Sequence, residues 1–215
     1  MTKTELAGKV YDRLIEAYPE ATISLNHRDP WQLLVATILS AQCTDKQVNK
    51  VTQELFEEYS NARQMSRAKL EKLKAIVRPT GFYNNKAEAI KGASKYIIEN
   101  NGGKVPDDME TLLELPGVGR KTANVVLGDG FGIPGVVVDT HVKRISYRIG
   151  LTNQKRPENI ESDLNEIFPK DQWIALGHLM IAHGRKICKA RNPRCEQCFM
   201  EDICAQVEVP TAERS

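Results

Sequence analysis

The feature that most constrains this chain is a helical period in its apolar residues, which recurs almost from end to end and is broken by strong turn signals. Leu6, Val10 and Leu14 repeat by four in the first segment. Thr44 is placed to cap a helix with Val48, Val51 and Leu55 on one face. Ser66 is placed to cap another, carrying Leu70, Leu73, Ile76 and Val77. Ala87, Ile90, Ala93 and Ile97 mark a further helix, and Leu112, Leu113 and Leu115 a short one that ends at Pro116. Residues 122–127 are compact and apolar enough for a buried helix. The period continues through Val142, Ile145 and Ile149, then Ile160, Leu164 and Ile167, then residues 174–187. Tyr18-Pro19, Asp29-Pro30, Pro79-Thr80-Gly81, Asn101-Gly102-Gly103, Ile133-Pro134-Gly135 and Phe168-Pro169 punctuate it. Only Val136-Val137-Val138 reads as a strand, and it is too short to found a sheet. The pattern predicts an all-α protein of about ten helices.

Composition narrows the class. The 215 residues are 41% hydrophobic and 27% charged, which argues against disorder over most of the length. No apolar run approaches the roughly 18 residues needed to cross a bilayer. Residues 1–10 alternate charged and apolar side chains and include Glu5, unlike a secretory signal or transit peptide. A cytoplasmic protein is expected. The net charge of +2 says nothing about nucleic acid, but its distribution does. Between His141 and Arg194 there are 11 basic residues against 5 acidic. Arg185, Lys186, Lys189, Arg191 and Arg194 follow one another with no acidic residue among them. Such a run is either a solvated surface or a groove for a phosphate backbone.

Leu115-Pro116-Gly117-Val118-Gly119-Arg120-Lys121-Thr122-Ala123 carries the first chemical signal. Two glycines around one apolar residue permit a tight turn between helices and leave the backbone bare. Turn amides and the next helix N-terminus together favour an anion. The motif is either a plain αα-hairpin or a phosphate-binding one, and the flanking Leu-Pro and Arg-Lys-Thr-Ala favour the second. Lys121 stands in the first turn of that helix, where the macrodipole disfavours a cation. Local rules tend to break at functional sites. The dipole and Arg120 favour the neutral amine that a nucleophilic lysine needs. Chemistry alone leaves two roles open for Lys121, nucleophile or phosphate contact.

Asp139 follows the three valines where the next helix should begin, so it is a candidate N-cap. A fixed carboxylate facing a cavity would also stabilise positive charge developing on a sugar. His141 precedes Lys143, Arg144 and Arg148 and reads as a DNA contact or a core histidine.

Five cysteines without a secretory signal argue against a disulfide scaffold. Cys188, Cys195, Cys198 and Cys204 crowd near the C-terminus with six, two and five residues between them. Four thiolates with no intervening histidine suit Zn²⁺ or an iron–sulfur cluster. Structural zinc usually uses two close pairs, and only one is present, which favours the larger cluster. Cys43, standing alone, reads as a small buried residue.

Taken together, these segments resemble the bacterial endonuclease III family of DNA glycosylases over nearly the whole chain, roughly from Leu6 to Cys204. Leu39-Ser40-Ala41-Gln42-Cys43-Thr44-Asp45, Gly81-Phe82-Tyr83-Asn84, the glycine hairpin, Val138-Asp139-Thr140-His141 and the cysteine spacing carry the resemblance. It implies two all-α domains flanking a DNA cleft. Residues 23–134 would form a six-helix barrel with the helix-hairpin-helix at about 110–128, and residues 1–22 plus 135–215 a cluster domain. It implies that Lys121 and Asp139 are catalytic and that Cys188, Cys195, Cys198 and Cys204 hold a [4Fe–4S] cluster. Gln42 would fill the gap left by a flipped base, with Phe82 at a second wedge position where the family often has leucine. Gly117, Val118, Gly119, Arg120, His141, Arg144, Lys189, Arg191 and Arg194 would contact DNA. The implied activity is release of oxidised pyrimidines such as thymine glycol from duplex DNA, then strand cleavage 3′ to the abasic site by β-elimination through a lysine Schiff base. The partner would be damaged or abasic double-stranded DNA, bound by a monomer in the bacterial nucleoid, with no membrane involved. Two rivals are a monofunctional adenine glycosylase and a non-enzymatic DNA-binding module. The first would lack lysine at position 121 and usually carries a further C-terminal domain, for which the residues after Cys204 leave no room. The second makes Lys121 a phosphate contact and Asp139 only a cap.

Overall fold

The computed structural model describes residues 1–210. Among these residues there are eleven α-helices and no strand. They are α1 (Lys3–Ala17), α2 (Pro30–Leu39), α3 (Asp45–Glu58), α4 (Ala62–Arg67), α5 (Leu70–Val77), α6 (Tyr83–Asn100), α7 (Met109–Glu114), α8 (Arg120–Val125), α9 (Thr140–Ile149), α10 (Pro157–Ile167) and α11 (Trp173–Lys186). The all-α reading holds. The valine run is corrected, since residues 136–138 belong to neither helix nor strand. Val136 is fully buried in an apolar core instead, so the run packs rather than pairs. Among the described residues, no helix is long and apolar enough to cross a membrane.

The chain divides into two compact units, Ser24–Ile133 and Met1–Ile23 with Pro134–Ser215. The Ser24–Ile133 unit holds α2 to α8. Its centre is α2, in which every residue from Trp31 to Leu39 is buried, as expected of a helix apolar on all sides. Pro30 at its first turn and the Asp29 carboxylate, which accepts from the Gln32 amide, fix where it starts. Helices α3, α6 and α8 pack against it, and Trp31 Nε1 donates to Ser94 Oγ on α6 at 3.1 Å. Thr44 caps α3 as the sequence predicts, accepting from the Gln47 amide. Ser66 does not cap α5. It lies inside α4 and donates to Arg63 O. Asn61 takes the Gln64 amide and starts α4 earlier, so α5 begins at Leu70 without a side-chain cap. Cys43 is half-buried rather than buried.

In the other unit, the α1 stripe of Leu6, Ala7, Val10 and Leu14 shares one core with Val142, Ile145 and Ile149 of α9, Ile160 and Leu164 of α10, and Leu176, Leu179 and Met180 of α11. This burial ties the N-terminal helix to the distant C-terminal ones. Arg13 adds a polar tie by donating to both carboxylate oxygens of Asp202 and, at 2.7 Å, to Phe199 O. Helices α9 and α11 approach closely at Gly184, where an added Cβ would lie 2.5 Å from His141 Nδ1 and 2.9 Å from an Arg144 nitrogen.

Candidate functional site

The hairpin joining α7 to α8 is built on two glycines with different tasks. Gly117 has a φ of +78°, and a Cβ there would sit 2.6 Å from Ala89 Cβ on α6. Gly117 is therefore required both by its left-handed backbone and by the close packing beneath it. Val118 is buried, and its amide donates to Leu115 O at 3.1 Å, closing the turn. Gly119 is extended and stands at the N-cap of α8 with no side chain. Nothing lies within 4 Å of a Cβ built there, so its backbone faces open space. Arg120 and Lys121 follow in the first turn of α8, both exposed.

Two loops of the same unit present the other sequence-singled residues. Gln42, after α2, and Phe82, before α6, have φ of 53° and 47°. Both side chains are exposed, Phe82 at 64%. Left-handed backbone at a non-glycine costs about 1–2 kcal/mol and marks imposed positions.

In the other unit, Asp139 is the N-cap of α9. One carboxylate oxygen, Oδ1, accepts from the His141 and Val142 amides, both at 2.8 Å. This fixes the side chain and leaves Oδ2 outside the cap. The predicted DNA contacts divide here. Arg144 turns inward, giving Nε and Nη2 to Cys188 O at 3.0 and 2.9 Å and meeting His141 Nδ1 at 3.0 Å. Lys189, Arg191 and Arg194 remain exposed. The main chain beneath them is held by Arg148, which the sequence reading did not assign. Arg148 is buried, and its Nη1 donates to Lys189 O at 2.7 Å and its Nη2 to Ala190 O at 3.1 Å.

Cys188, Cys195, Cys198 and Cys204 are free thiols that line one pocket, walled by Ile149, Ile187 and Met200. Among the described residues, no three Cys, His, Asp or Glu side chains close on a single-ion site. Tetrahedral zinc needs four sulfurs at about 2.3 Å from one centre. Four thiols spread round an apolar pocket fit a polynuclear cluster better. Arg148 Nη1 lies 3.5 Å from Cys188 Sγ, and His183 Nε2 lies 3.8 Å from Cys198 Sγ. Such outer partners orient and tune sulfur ligands. His183 pairs through Nδ1 with the Tyr18 hydroxyl at 3.1 Å. Burial pushes its imidazole down to about 4, with Arg144 adding to the effect, so the ring is neutral beside the thiols. Burial pushes the Cys195, Cys198 and Cys204 thiols up, which couples their deprotonation to binding of a metal centre.

Comparison with known proteins decides the lineage. Residues 35–170 match the model of the HhH-GPD superfamily base excision DNA repair protein, and residues 188–204 that of the iron–sulfur binding domain of endonuclease III. Endonuclease III of Synechocystis sp. is 47% identical over 208 residues, spanning 96% of this chain and 95% of that one. The chain belongs to the endonuclease III family. Two solved members superpose with a TM-score of 0.91 at 42% identity over 96% of this chain. One is a non-covalent endonuclease III–DNA complex, of which 96% is covered, and the other a trapped endonuclease III–DNA covalent intermediate, of which 97% is covered. The cysteine loop is the part that assigns the endonuclease III family its [4Fe–4S] cofactor here. Lys86, a buried cation on α6, escapes the sequence reading. The α6 stripe of Ile90, Ala93 and Ile97, continued back by four residues, lands on it.

Proposed function

We propose that this endonuclease III family member removes oxidised pyrimidines from duplex DNA and cuts the strand through Lys121. The family is one of bifunctional base excision repair enzymes, glycosylase and abasic-site lyase in one chain. The observation that carries the lysine reading is an exposed amine in the first turn of α8, next to the open backbone at Gly119. A phosphate seated at Gly119 would bring the neighbouring deoxyribose within reach of that amine.

The hairpin and the Lys189, Arg191 and Arg194 heads grip phosphates without reading sequence. A damaged base leaves the stack for a few kcal/mol, least when it stacks poorly, as a non-planar oxidised pyrimidine does. Gln42 and Phe82 occupy the vacated space. The Lys121 amine forms a bond to C1′ as the glycosidic C1′–N bond breaks, and the electron pair leaves with the base. The Asp139 carboxylate offsets the positive charge on the sugar. The nitrogen lone pair then breaks C1′–O4′, O4′ takes up a proton that the amine gives up, and a Schiff base to the opened sugar remains. The iminium acidifies C2′–H, the departed base or water takes that proton, the C3′–O bond breaks with the phosphate as leaving group, and water hydrolyses the imine to release Lys121. Cys188, Cys195, Cys198 and Cys204 would hold the [4Fe–4S] cluster, which when bound would staple the basic loop rigidly. The enzyme acts as a monomer on chromosomal DNA.

The test is borohydride trapping on a duplex carrying one thymine glycol. Wild type should give a covalent protein–DNA band and Lys121→Gln none, while Lys121→Gln keeps DNA binding within about tenfold, the loss of one phosphate-range contact. A band from both proteins would move the nucleophile to another amine. Base release without a band from wild type would make the enzyme monofunctional.

A further inference from the structure

Lys86 is one of the few buried charges in the molecule and takes no part in the chemistry above. It is 5% exposed, in the first turn of α6. A cation there opposes the α6 macrodipole, yet Nζ is well satisfied. It donates to Leu39 O at 2.9 Å and to Thr80 O at 2.8 Å. Leu39 is the last residue of α2, and Thr80 ends a short 3₁₀ turn, Arg78–Thr80. The ammonium thus sits on two helix C-termini, where carbonyls lack intrahelical partners and the dipole end is negative. Burial pushes the Lys86 ammonium below its ordinary value, and the nearby Cys43 opposes that.

What the two carbonyls lead into gives the contact its meaning. Three residues after Leu39 comes Gln42, and two after Thr80 comes Phe82. Among the described residues of the Ser24–Ile133 unit, these are the two non-glycine residues with positive φ. Ser40 Oγ donates to Thr37 O and Thr80 Oγ1 to Val77 O, so each of these hydroxyls braces its own loop root and neither bond crosses to the other loop. Phe82 is the α6 N-cap and makes no side-chain cap hydrogen bond, and it follows Gly81, itself at φ +71°. Strained residues persist only where their surroundings over-determine them. One side chain joins the two loop roots, and an apolar side chain of similar volume could fill the space without joining them.

We propose that Lys86 is the positioning residue for both wedges, its ammonium locking the Gln42 loop to the Phe82 loop so that the two side chains enter the duplex at a fixed separation. This rests on the reading that Gln42 and Phe82 fill the space of the flipped base. It assigns Lys86 to base extrusion more than to the lyase step, because at an abasic site the wedges still enter the gap but no base has to be unstacked and unpaired before the sugar reaches Lys121.

The experiment uses the cluster-loaded protein as wild type, Lys86→Met and Lys86→Arg. Iron–sulfur absorbance and far-ultraviolet circular dichroism check the fold. Single-turnover base release from a thymine glycol duplex is compared with strand cleavage at a preformed abasic site. In parallel, 2-aminopurine placed opposite an uncleavable abasic analogue reports unstacking by its fluorescence on binding. Lys86→Met should release base about 10- to 100-fold more slowly, the cost of a misplacement near 1 Å. It should cleave the abasic site within about threefold of wild type and lose most of the fluorescence rise. Lys86→Arg, which can still donate to both carbonyls, should recover most of both losses. In a Gln42→Ala, Phe82→Ala background the Lys86→Met effect should vanish, since nothing remains to position. A parallel fall in base release and abasic cleavage would overturn the proposal, as would unchanged fluorescence with only a lower Tm. Failure of wild type to trap or cleave would instead sink the glycosylase reading. The fluorescence arm needs no chemistry and still decides the role of Lys86. If Lys86→Met does not fold, Lys86→Gln, whose shorter amide cannot bridge both carbonyls, replaces it and should lose most of the fluorescence rise, an undiminished rise overturning the proposal.

Discussion

At the scale of single residues, the hairpin separates two kinds of glycine that look alike in sequence. Gly117→Ala must place a methyl 2.6 Å from Ala89 Cβ at a φ of +78°. The expected cost is about 2–4 kcal/mol from overpacking and left-handed strain together, read from the denaturation midpoint. Gly119→Ala adds a methyl into open space at an extended φ. Stability should fall by less than about 1 kcal/mol, while affinity for an abasic duplex drops about tenfold because the phosphate loses its close approach. Equal affinity for Gly119→Ala and wild type would remove the phosphate from that turn. The motif was legible in the sequence, but the division of labour was not, because it depends on Ala89 lying beneath one glycine and nothing lying above the other. Lys86 was hidden for a similar reason. Its partners are backbone carbonyls, which carry no sequence signature.

At the scale of elements, caps decide where helices start, and Asp139 is the cap to which the proposed mechanism gives a second task. Asp139 binds the first turn of α9 through Oδ1 alone. Asparagine can make the same two contacts, so Asp139→Asn should leave stability within about 0.5 kcal/mol, whereas Asp139→Ala should cost about 1 kcal/mol. Under the proposed mechanism base release should fall by about 10²-fold or more in both, since both remove the negative charge assigned to the sugar. Stopped-flow kinetics beside thermal melts distinguishes the two. Retained base release in Asp139→Asn would reduce Asp139 to a cap. The helices were legible wherever the apolar period was long, as in α1, α3 and α6. It failed at α4 and α5, where Asn61 caps α4 and so places Ser66 inside that helix, leaving α5 to start at Leu70 without a side-chain cap. Short helices are set by local competition among polar side chains, which period alone does not resolve. The valine run misled for the opposite reason. Burial, which strands and coil share, selects valine as strongly as pairing does.

At the scale of the whole molecule, the cysteine loop and α1 behave as one assembly, through the core shared by α1, α9, α10 and α11 and through Arg13 on Phe199 O and Asp202. Stripping iron should release amide protection over residues 188–204 by about 10²-fold or more and loosen the α1 end around Arg13, while α2 to α6 keep theirs. Hydrogen exchange of cluster-loaded and iron-free protein measures this. Equal loss in α2 would show one cooperative block. The same connectivity sets a schedule for synthesis. Helix α1 leaves the ribosome well before the core that receives it, which lies beyond the whole Ser24–Ile133 unit. At roughly 5–20 residues per second, the wait is on the order of ten seconds. The nascent chain meets it with a segment whose helical start is closed by the reciprocal Thr2–Glu5 capping box and whose outer side is charged by Lys3, Lys9, Asp12 and Glu16. This helix is thus made well before it is housed, and its charged outer side is as much a product of its sequence as its final packing.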